Sequence, residues 1–185
     1  MDMTGEERIA ASRETVWAAL NDVEVLKQSI PGCESLEKLS DTEMTARVKL
    51  QIGPVSARFS GKVTLSEIDP PNGYRIAGEG SGGAAGFAKG SAVVRLAEDG
   101  DGTILRYEAK ADVGGKLAQL GGRLIDASAK RLAGEFFSKF GDVVGPVPEQ
   151  AEAQAVEAAS QEKPGVLRRW FGKKKGIEED GSPST

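Results

Sequence analysis

The most constraining feature of this chain is a change in the spacing of its apolar residues near Gly114. Before that point apolar side chains recur at every second residue, as in EMTARVKLQI (43–52) and VSARFSGKVTLSEI (55–68). This period is typical of strands that bury one face. From Leu117 to Val144 the apolar residues recur at intervals of three and four, which predicts one long amphipathic helix.

The other segments complete the predicted order of elements. EERIAA (6–11) predicts an opening strand, and Ser12 is a suitable N-cap for a short helix in RETVWAALND (13–22). A second short helix is predicted in VEVLKQS (23–29), before a turn at Pro31–Gly32. Further strands are predicted in YRIAGEG (74–80), AKGSAVVRLAE (88–98) and ILRYEAKADV (104–113). The order is therefore strand, two short helices, about six strands and a long helix.

A sheet with one apolar face must cover that face, and the predicted long helix is the only large element available for it. We therefore expect an α+β domain over residues 1–144. In this domain a curved antiparallel sheet wraps around the C-terminal helix.

The face of the sheet that should meet the helix carries unusually small residues. Either they let the helix pack tightly, or they leave a pocket for an apolar ligand. The Gly-rich stretch 78–90 favours the pocket slightly, because Gly82, Gly83 and Gly86 form a flexible loop with Phe87 as a candidate apolar gate. The candidate cavity residues are Ala46, Val48, Leu50, Ala57, Phe59, Gly61, Gly78, Gly80, Phe87, Gly90, Ala92, Tyr107, Ala109, Leu117, Leu120, Leu124 and Ser128.

Composition argues against several classes of function. The chain has no histidine and a single cysteine, Cys33, so a zinc site of Cys/His type cannot be assembled and the commonest general base is missing. Glu79 and Cys33 are weak candidates for chemistry, and a solvated carboxylate and a small turn residue are the simpler interpretations. A net charge of −4 disfavours nucleic acid as a partner. We predict no catalytic residues, no metal site, no covalent cofactor and no enzyme activity.

The C-terminal quarter has a different composition. Residues 145–164 are rich in Pro, Ala, Glu and Gln, which predicts a disordered linker, and residues 177–185 predict a disordered acidic tail. Between them lies GVLRRWFGKKKG (165–176), a short basic amphipathic segment. It suits the surface of an anionic membrane, although docking to a protein partner or packing on its own domain stays open. The predicted membrane-contact residues are Val166, Leu167, Arg168, Arg169, Trp170, Phe171, Lys173, Lys174 and Lys175.

The expected location follows from what the sequence lacks. No apolar run approaches the roughly 18–20 residues of a membrane-spanning helix, and the charged N-terminus does not resemble a signal peptide. A lone cysteine favours a reducing compartment. We expect a cytoplasmic protein, peripheral on the inner face of the cytoplasmic membrane.

Four stretches resemble CoxG, a family of carbon monoxide dehydrogenase subunits within the START-like (SRPBCC) helix-grip superfamily. They are SIPGCESLE (29–37), QIGPVSARFSGKVTLSEIDPP (51–71), YRIAGEGSGGAAGFAKGSAVVRL (74–96) and VGGKLAQLGGRLIDASAKRLAGEFFSKF (113–140). The resemblance covers residues 1 to about 144 and implies the helix-grip fold. It also implies association with a molybdenum-containing carbon monoxide dehydrogenase, attachment of that enzyme to the membrane, and an apolar ligand. It supplies no catalytic residues.

These expectations lead to a functional hypothesis. The protein would take a respiratory quinone, or another isoprenoid or lipid, from the bilayer and present it to the dehydrogenase, coupling the enzyme to the electron-transport chain. One alternative is a ligand-free membrane anchor or adaptor for the dehydrogenase. Another is a chaperone for assembly of the metalloenzyme.

Overall fold

A computed structural model describes residues 1–145 of the chain. Seven strands and three α-helices account for most of this part. The strands are β1 (Asp2–Ile9), β2 (Cys33–Lys38), β3 (Glu43–Ile52), β4 (Val55–Asp69), β5 (Gly73–Ser81), β6 (Phe87–Asp99) and β7 (Gly102–Gly114), and the helices are α1 (Arg13–Leu20), α2 (Val23–Ser29) and α3 (Gly122–Val144). Two single 3₁₀ turns lie at Gly83–Ala85 and Ala118–Leu120.

The strands form one antiparallel sheet in the order β1-β7-β6-β5-β4-β3-β2. From β3 to β7 each strand pairs with the next one along the chain, and β1 closes the sheet against β7. The predicted curved antiparallel sheet with a long C-terminal helix is thus confirmed. The short strand β2 is not among the individually predicted strands, because it follows directly on the turn at Pro31–Gly32.

The two short helices begin at side-chain caps. The Ser12 hydroxyl accepts a hydrogen bond from the Thr15 amide at 3.2 Å, as predicted for α1. At α2 the Asp22 carboxylate accepts from the amides of Glu24 and Val25, at 2.8 and 3.1 Å. These caps fix where α1 and α2 begin, and therefore where they cover one end of the sheet.

The long helix begins later than the apolar spacing predicts. Leu117 and Leu120 fit the helical period but lie before α3, which starts at Gly122. Gly121 has φ of +83°, a conformation that an α-helix cannot contain. The backbone turns there, so the predicted single helix from Leu117 is wrong in its first turn.

Two clusters of buried side chains fill the space between sheet and helices. The first, which we call the packed end, is built around α1, α2 and the last turns of α3, with Val16, Leu105 and Phe140 almost wholly buried. The second, which we call the glycine-rich end, consists of Phe59, Ala85, Leu117 and Ile125. The apolar cavities described below lie among and beside the residues of these clusters.

Candidate ligand-binding site

The larger of two apolar cavities lies under the middle of α3, and buried residues of the packed end such as Leu26, Met44 and Leu105 line it. Its volume is about 360 Å³, within the ~300–1,000 Å³ usual for small-molecule sites. The α3 side contributes Ala133, Phe136 and Phe137. Apart from the hydroxyl groups of two tyrosines, the lining is wholly hydrocarbon or thioether. Four predicted residues lie here: Ala46, Ala92, Tyr107 and Ala109.

Aromatic rings hold one end of this cavity in place. Tyr107 stacks on Phe137 with ring centroids 5.3 Å apart, and Phe136 meets Phe137 edge-on at 5.1 Å. Tyr74 packs against Trp17 at 5.5 Å. Burial raises the pKa of the Tyr74 hydroxyl well above its usual range, because the surroundings are apolar. Burial also raises the pKa of the Tyr107 hydroxyl, so both tyrosines are neutral walls at physiological pH.

A smaller cavity of about 230 Å³ lies under the first half of α3. Five predicted residues line it: Leu50, Phe59, Gly80, Leu117 and Ser128. The two cavities share secondary-structure elements, and nearby residues of one element line different cavities. On α3 Leu132 faces the smaller one and Ala133 the larger one, and on β7 Ala111 and Ala109 divide in the same way. The cavities are therefore adjacent parts of one apolar region between sheet and helix.

The small residues of the sheet serve two different purposes. A Cβ atom at Gly61 would lie 2.7 Å from the Glu79 carbonyl oxygen, and one at Gly90 would lie 2.5 Å from the Lys110 carbonyl oxygen. These glycines permit close backbone approach. At Gly80 the nearest backbone atom would be 3.6 Å away, an ordinary contact. Gly80 therefore leaves space in the smaller cavity that the backbone does not need.

The predicted gate loop is a hydrogen-bonded turn that packs against the glycine-rich end. The Gly82 amide donates to the Gly86 carbonyl at 2.8 Å, and the Leu117 amide donates to the Ala85 carbonyl at 3.1 Å. Ala85 and Leu117 are both buried in the smaller core cluster. Ala85 was not among the predicted site residues, although it is one of the two alanines in an otherwise glycine-rich segment.

Comparison with known proteins identifies the family. The sequence model of CoxG, a subunit of carbon monoxide dehydrogenase, matches residues 5–145. The chain belongs to the CoxG family. Among curated protein sequences, none matches it significantly.

Solved structures agree on the fold of this CoxG chain. A conserved protein from Geobacillus kaustophilus is 30% identical with a TM-score of 0.74, over 78% of this chain and 95% of that one. A START superfamily protein from Mycobacterium smegmatis is 17% identical with a TM-score of 0.61, over 77% and 96%. The Zhui aromatase/cyclase from a Streptomyces species is 14% identical with a TM-score of 0.53, over 87% and 98%. The START-like helix-grip fold, a fold that commonly holds hydrophobic ligands, is therefore shown.

In this CoxG chain Phe87 lies away from both apolar cavities. It is half exposed and borders a hollow on the outer face of the sheet, together with Lys62 and Lys89. Its ring covers Gly114, where any Cβ would collide with it. The alternation of β6 explains this position, because Ala88 faces inward. The prediction that Phe87 gates the cavity is therefore not supported by its position.

The remaining predicted positions surround the cavities without lining them. Val48, Ala57 and Leu120 pack against the smaller core cluster, and Leu124 lies over Gly53. Three glycines border hollows on the outer face of the sheet: Gly61, Gly78 and Gly90. The predicted linker, membrane-contact segment and tail lie outside the described residues.

The outer face offers no comparable enclosure among the described residues. Its two hollows have volumes of about 690 and 800 Å³, but they are shallow, open to solvent and bordered by charged groups. Glu79 is exposed there, paired in register with Lys62 and Lys89, as expected for a solvated carboxylate. Burial raises the pKa of the Cys33 thiol, which lowers its reactivity.

Two absences hold for the described part of the CoxG chain. Residues 1–145 contain no group of three or more acidic, histidine or cysteine side chains arranged for a metal ion. In the same range no helix is both long and apolar enough to cross a membrane.

Proposed function

We propose that this CoxG-family protein is a membrane-associated accessory protein of a molybdenum-containing carbon monoxide dehydrogenase. It holds an apolar molecule, a respiratory quinone, between the sheet and α3 and couples the enzyme to the electron-transport chain. It performs no chemistry of its own. The observation that carries the proposal is the pair of adjacent apolar cavities under α3.

A quinone suits these cavities for chemical reasons. Its isoprenoid chain is too apolar to cross water unaided, and the walls of the larger cavity are almost entirely hydrocarbon. Burying such a chain contributes ~25 cal/mol per Å² of apolar surface removed from water. An oxidoreductase that feeds a respiratory chain needs an acceptor of this kind, and family membership supplies the dehydrogenase as the partner.

The basic segment 165–176 supplies the membrane contact in this proposal. Five basic side chains near an anionic surface contribute ~1 kcal/mol each, and the apolar side chains Val166, Leu167, Trp170 and Phe171 add to this. The resulting association is reversible. It would keep the carrier on the inner face of the cytoplasmic membrane while the linker 145–164 lets the domain turn.

Native mass spectrometry with organic extraction tests the ligand. The full chain is purified gently from membrane-containing cells, and the mass of any bound molecule is measured. A stoichiometric quinone adduct is expected. A phospholipid adduct would make the protein a lipid binder instead, and a ligand-free mass, also after incubation with quinone in liposomes, would favour the anchor or the assembly chaperone.

A substitution that fills the larger cavity distinguishes a ligand carrier from a ligand-free anchor whose core is filled by side chains. Ala92→Leu places its extra atoms in the larger cavity, so we expect the free energy of unfolding to change by less than about 1 kcal/mol while quinone affinity falls at least about tenfold. Ala77→Leu, on the exposed outer face of β5, is the matched control and should leave affinity unchanged. A loss of about 1–3 kcal/mol for Ala92→Leu with normal electron transfer would contradict the carrier.

Deleting residues 165–176 tests the membrane contact. The shortened chain should no longer sediment with vesicles that contain anionic phospholipid, but should still bind quinone in detergent. Deleting residues 177–185 is the control and should leave sedimentation unchanged. Retained sedimentation after the first deletion would remove this segment from the proposal without affecting the cavity.

A further inference from the structure

A bound molecule would meet almost no polar surface in either apolar cavity. Two tyrosines line the larger cavity, and Ser128 is the one polar side chain that lines the smaller cavity within residues 1–145, but nearly all of the surface that faces the two spaces is apolar. A carbonyl oxygen placed there would lose its hydrogen bonds to water and gain none, which is unfavourable. A quinone ring carries two such oxygens, so these cavities suit its chain better than its head group.

A third hollow adjoins the smaller cavity. It lies between β7 and the start of α3, has a volume of about 280 Å³, and we call it the vestibule. It shares four lining residues with the smaller cavity: Met1, Ala111, Val113 and Ile125. Because Ile125 belongs to α3, the vestibule lies on the inner side of the sheet, whereas no residue of α3 borders the two outer hollows. A molecule in the smaller cavity is therefore next to the vestibule.

Unlike the two cavities, the vestibule is polar. The exposed residues Asp112 and Asp126 border it, so water reaches this space. Gly122 also borders it, and a Cβ added at Gly122 would meet no atom within 4 Å. Neither a positive φ nor a close neighbour requires glycine at this position in the first turn of α3. A polar group in the vestibule would keep its contact with water.

The two cavities together have room for a chain of moderate length. Their volumes of about 360 and 230 Å³ add up to about 590 Å³. A cavity of roughly 150 Å³ holds benzene, which is about 25 Å³ for each carbon atom, so about 20–25 carbon atoms fit here. Gly78 and Gly90 pair with each other in the row of the sheet between the two cavities, and neither has a side chain that could divide them.

We propose that the ligand lies with its apolar chain in the two cavities and its polar head group in the vestibule, in contact with water. The ligand class is then a long hydrocarbon chain joined to a polar head. A partner enzyme could reach the head at the start of α3 while the chain stays bound. This inference rests on the proposed function and specifies the orientation of its ligand.

The first test places a cysteine at three positions of the full chain, each combined with Cys33→Ser. Gly122→Cys lies in the vestibule, Ala92→Cys in the larger cavity, and Gly134→Cys on an exposed part of α3 where an added Cβ also meets no atom within 4 Å. The probe is a benzoquinone with one unsubstituted ring carbon and a tail of about twenty carbon atoms, the length that the cavities hold. The thiol adds to that ring carbon and gives a hydroquinone thioether, so the protein gains the mass of one quinone.

Mass spectrometry measures how fast each adduct forms. Gly122→Cys should react at least about tenfold faster than Gly134→Cys, because binding raises the effective concentration of the quinone ring beside it. A short-chain quinone, which the cavities do not retain, should react equally with both. Equal rates with the long-chain probe, or a faster reaction of Ala92→Cys than of Gly122→Cys, would overturn the inference.

The second test uses the unaltered chain and dithionite, a reductant that stays in water. If the head group lies in the vestibule, the bound long-chain quinone should be reduced faster than it dissociates into liposomes. Reduction that is no faster than dissociation would place the ring inside a cavity and overturn the inference, while the protein would still be a quinone binder. If the unaltered chain retained no long-chain quinone at all, the proposed function would fail, and the inference would fail with it.

Discussion

The two ends of the region under α3 are built in different ways. At the packed end large side chains meet large side chains: Phe140 is fully buried and stacks on Phe136 with ring centroids 5.6 Å apart. At the glycine-rich end large side chains of α3 face Gly80, Ala88 and Ala111, and a cavity of about 230 Å³ lies between. The same helix thus carries a fully buried ring near its C-terminus, while the two apolar cavities lie under its first and middle turns.

From this contrast we expect stability and the proposed ligand binding to depend on different residues of one domain. Close packing stabilises most where no void is left, so we expect the tightly packed residues around Phe140 to contribute more to the folding free energy than the residues that line the cavities. A ligand needs space that the fold does not fill, and that space begins at Phe136 and Phe137, whose rings form part of the wall of the larger cavity. Substitutions at the two ends should therefore affect different measurements.

The largest effect is expected for Phe140→Ala. This change removes a fully buried ring at the packed end, and truncations of this kind cost ~3–5 kcal/mol. The free energy of unfolding from urea denaturation measures the loss. Val143→Ala, on an exposed side chain three residues away, is the control and should cost less than about 0.5 kcal/mol. A loss below about 1.5 kcal/mol for Phe140→Ala would contradict the description of a packed end.

Leu117→Ala is the corresponding change at the glycine-rich end. Leu117 is 1% exposed, but it lies beside an existing cavity in a smaller cluster. We expect a loss of about 2 kcal/mol, at the low end of the range for buried leucine. Hydrogen exchange of the amides at Gly82 and Leu117 should accelerate more than exchange in β7 near Leu105. Uniform acceleration across the domain would mean that the two ends unfold as one unit.

A pair of glycine substitutions separates structural glycines from cavity glycines. Gly90→Ala forces a Cβ to 2.5 Å from a backbone oxygen and should destabilise the fold by about 1–3 kcal/mol. Gly80→Ala meets ordinary contacts and should change stability by less than about 0.5 kcal/mol. Thermal unfolding of both variants provides the comparison. Equal losses would mean that Gly80 is also required by backbone packing.

Most of the fold is predictable from the sequence because its signals are local. The bounds of β3 agree with the alternation in 43–52, and the Ser12 cap lies where predicted. The start of α3 is not predictable from spacing alone. Leu117, Leu120 and Leu124 continue the helical period, and only the left-handed conformation at Gly121 shows that the chain turns there.

The candidate site is less predictable because it depends on how far α3 stands from the sheet. The sequence places Ala92, Ala109 and Gly80 on the inner face, but the volume above them follows from the packing of Phe136 and Phe140 far along the helix. The role of Gly90 is equally hidden, since its close neighbour Lys110 is known only from strand register.

The smallest effect is expected for Phe87→Ala. If Phe87 were a gate, the same change would have a large effect on ligand binding. Phe87 is half exposed and its ring lies over Gly114 on the outer face, so its removal should cost less than about 1 kcal/mol. The rate and affinity with which the proposed quinone binds should stay unchanged, because Phe87 lies on the outer face, whereas Ala85 and Leu117 are the residues buried on the inner side of this end. Stopped-flow measurements of the binding rate compare Phe87→Ala with Ala85→Gly. The second change removes a buried methyl group at the glycine-rich end and should speed ligand entry. If Phe87→Ala alone changed the entry rate, the ligand would enter past the outer face of the sheet. Ligand entry would then not depend on the packing of the glycine-rich end.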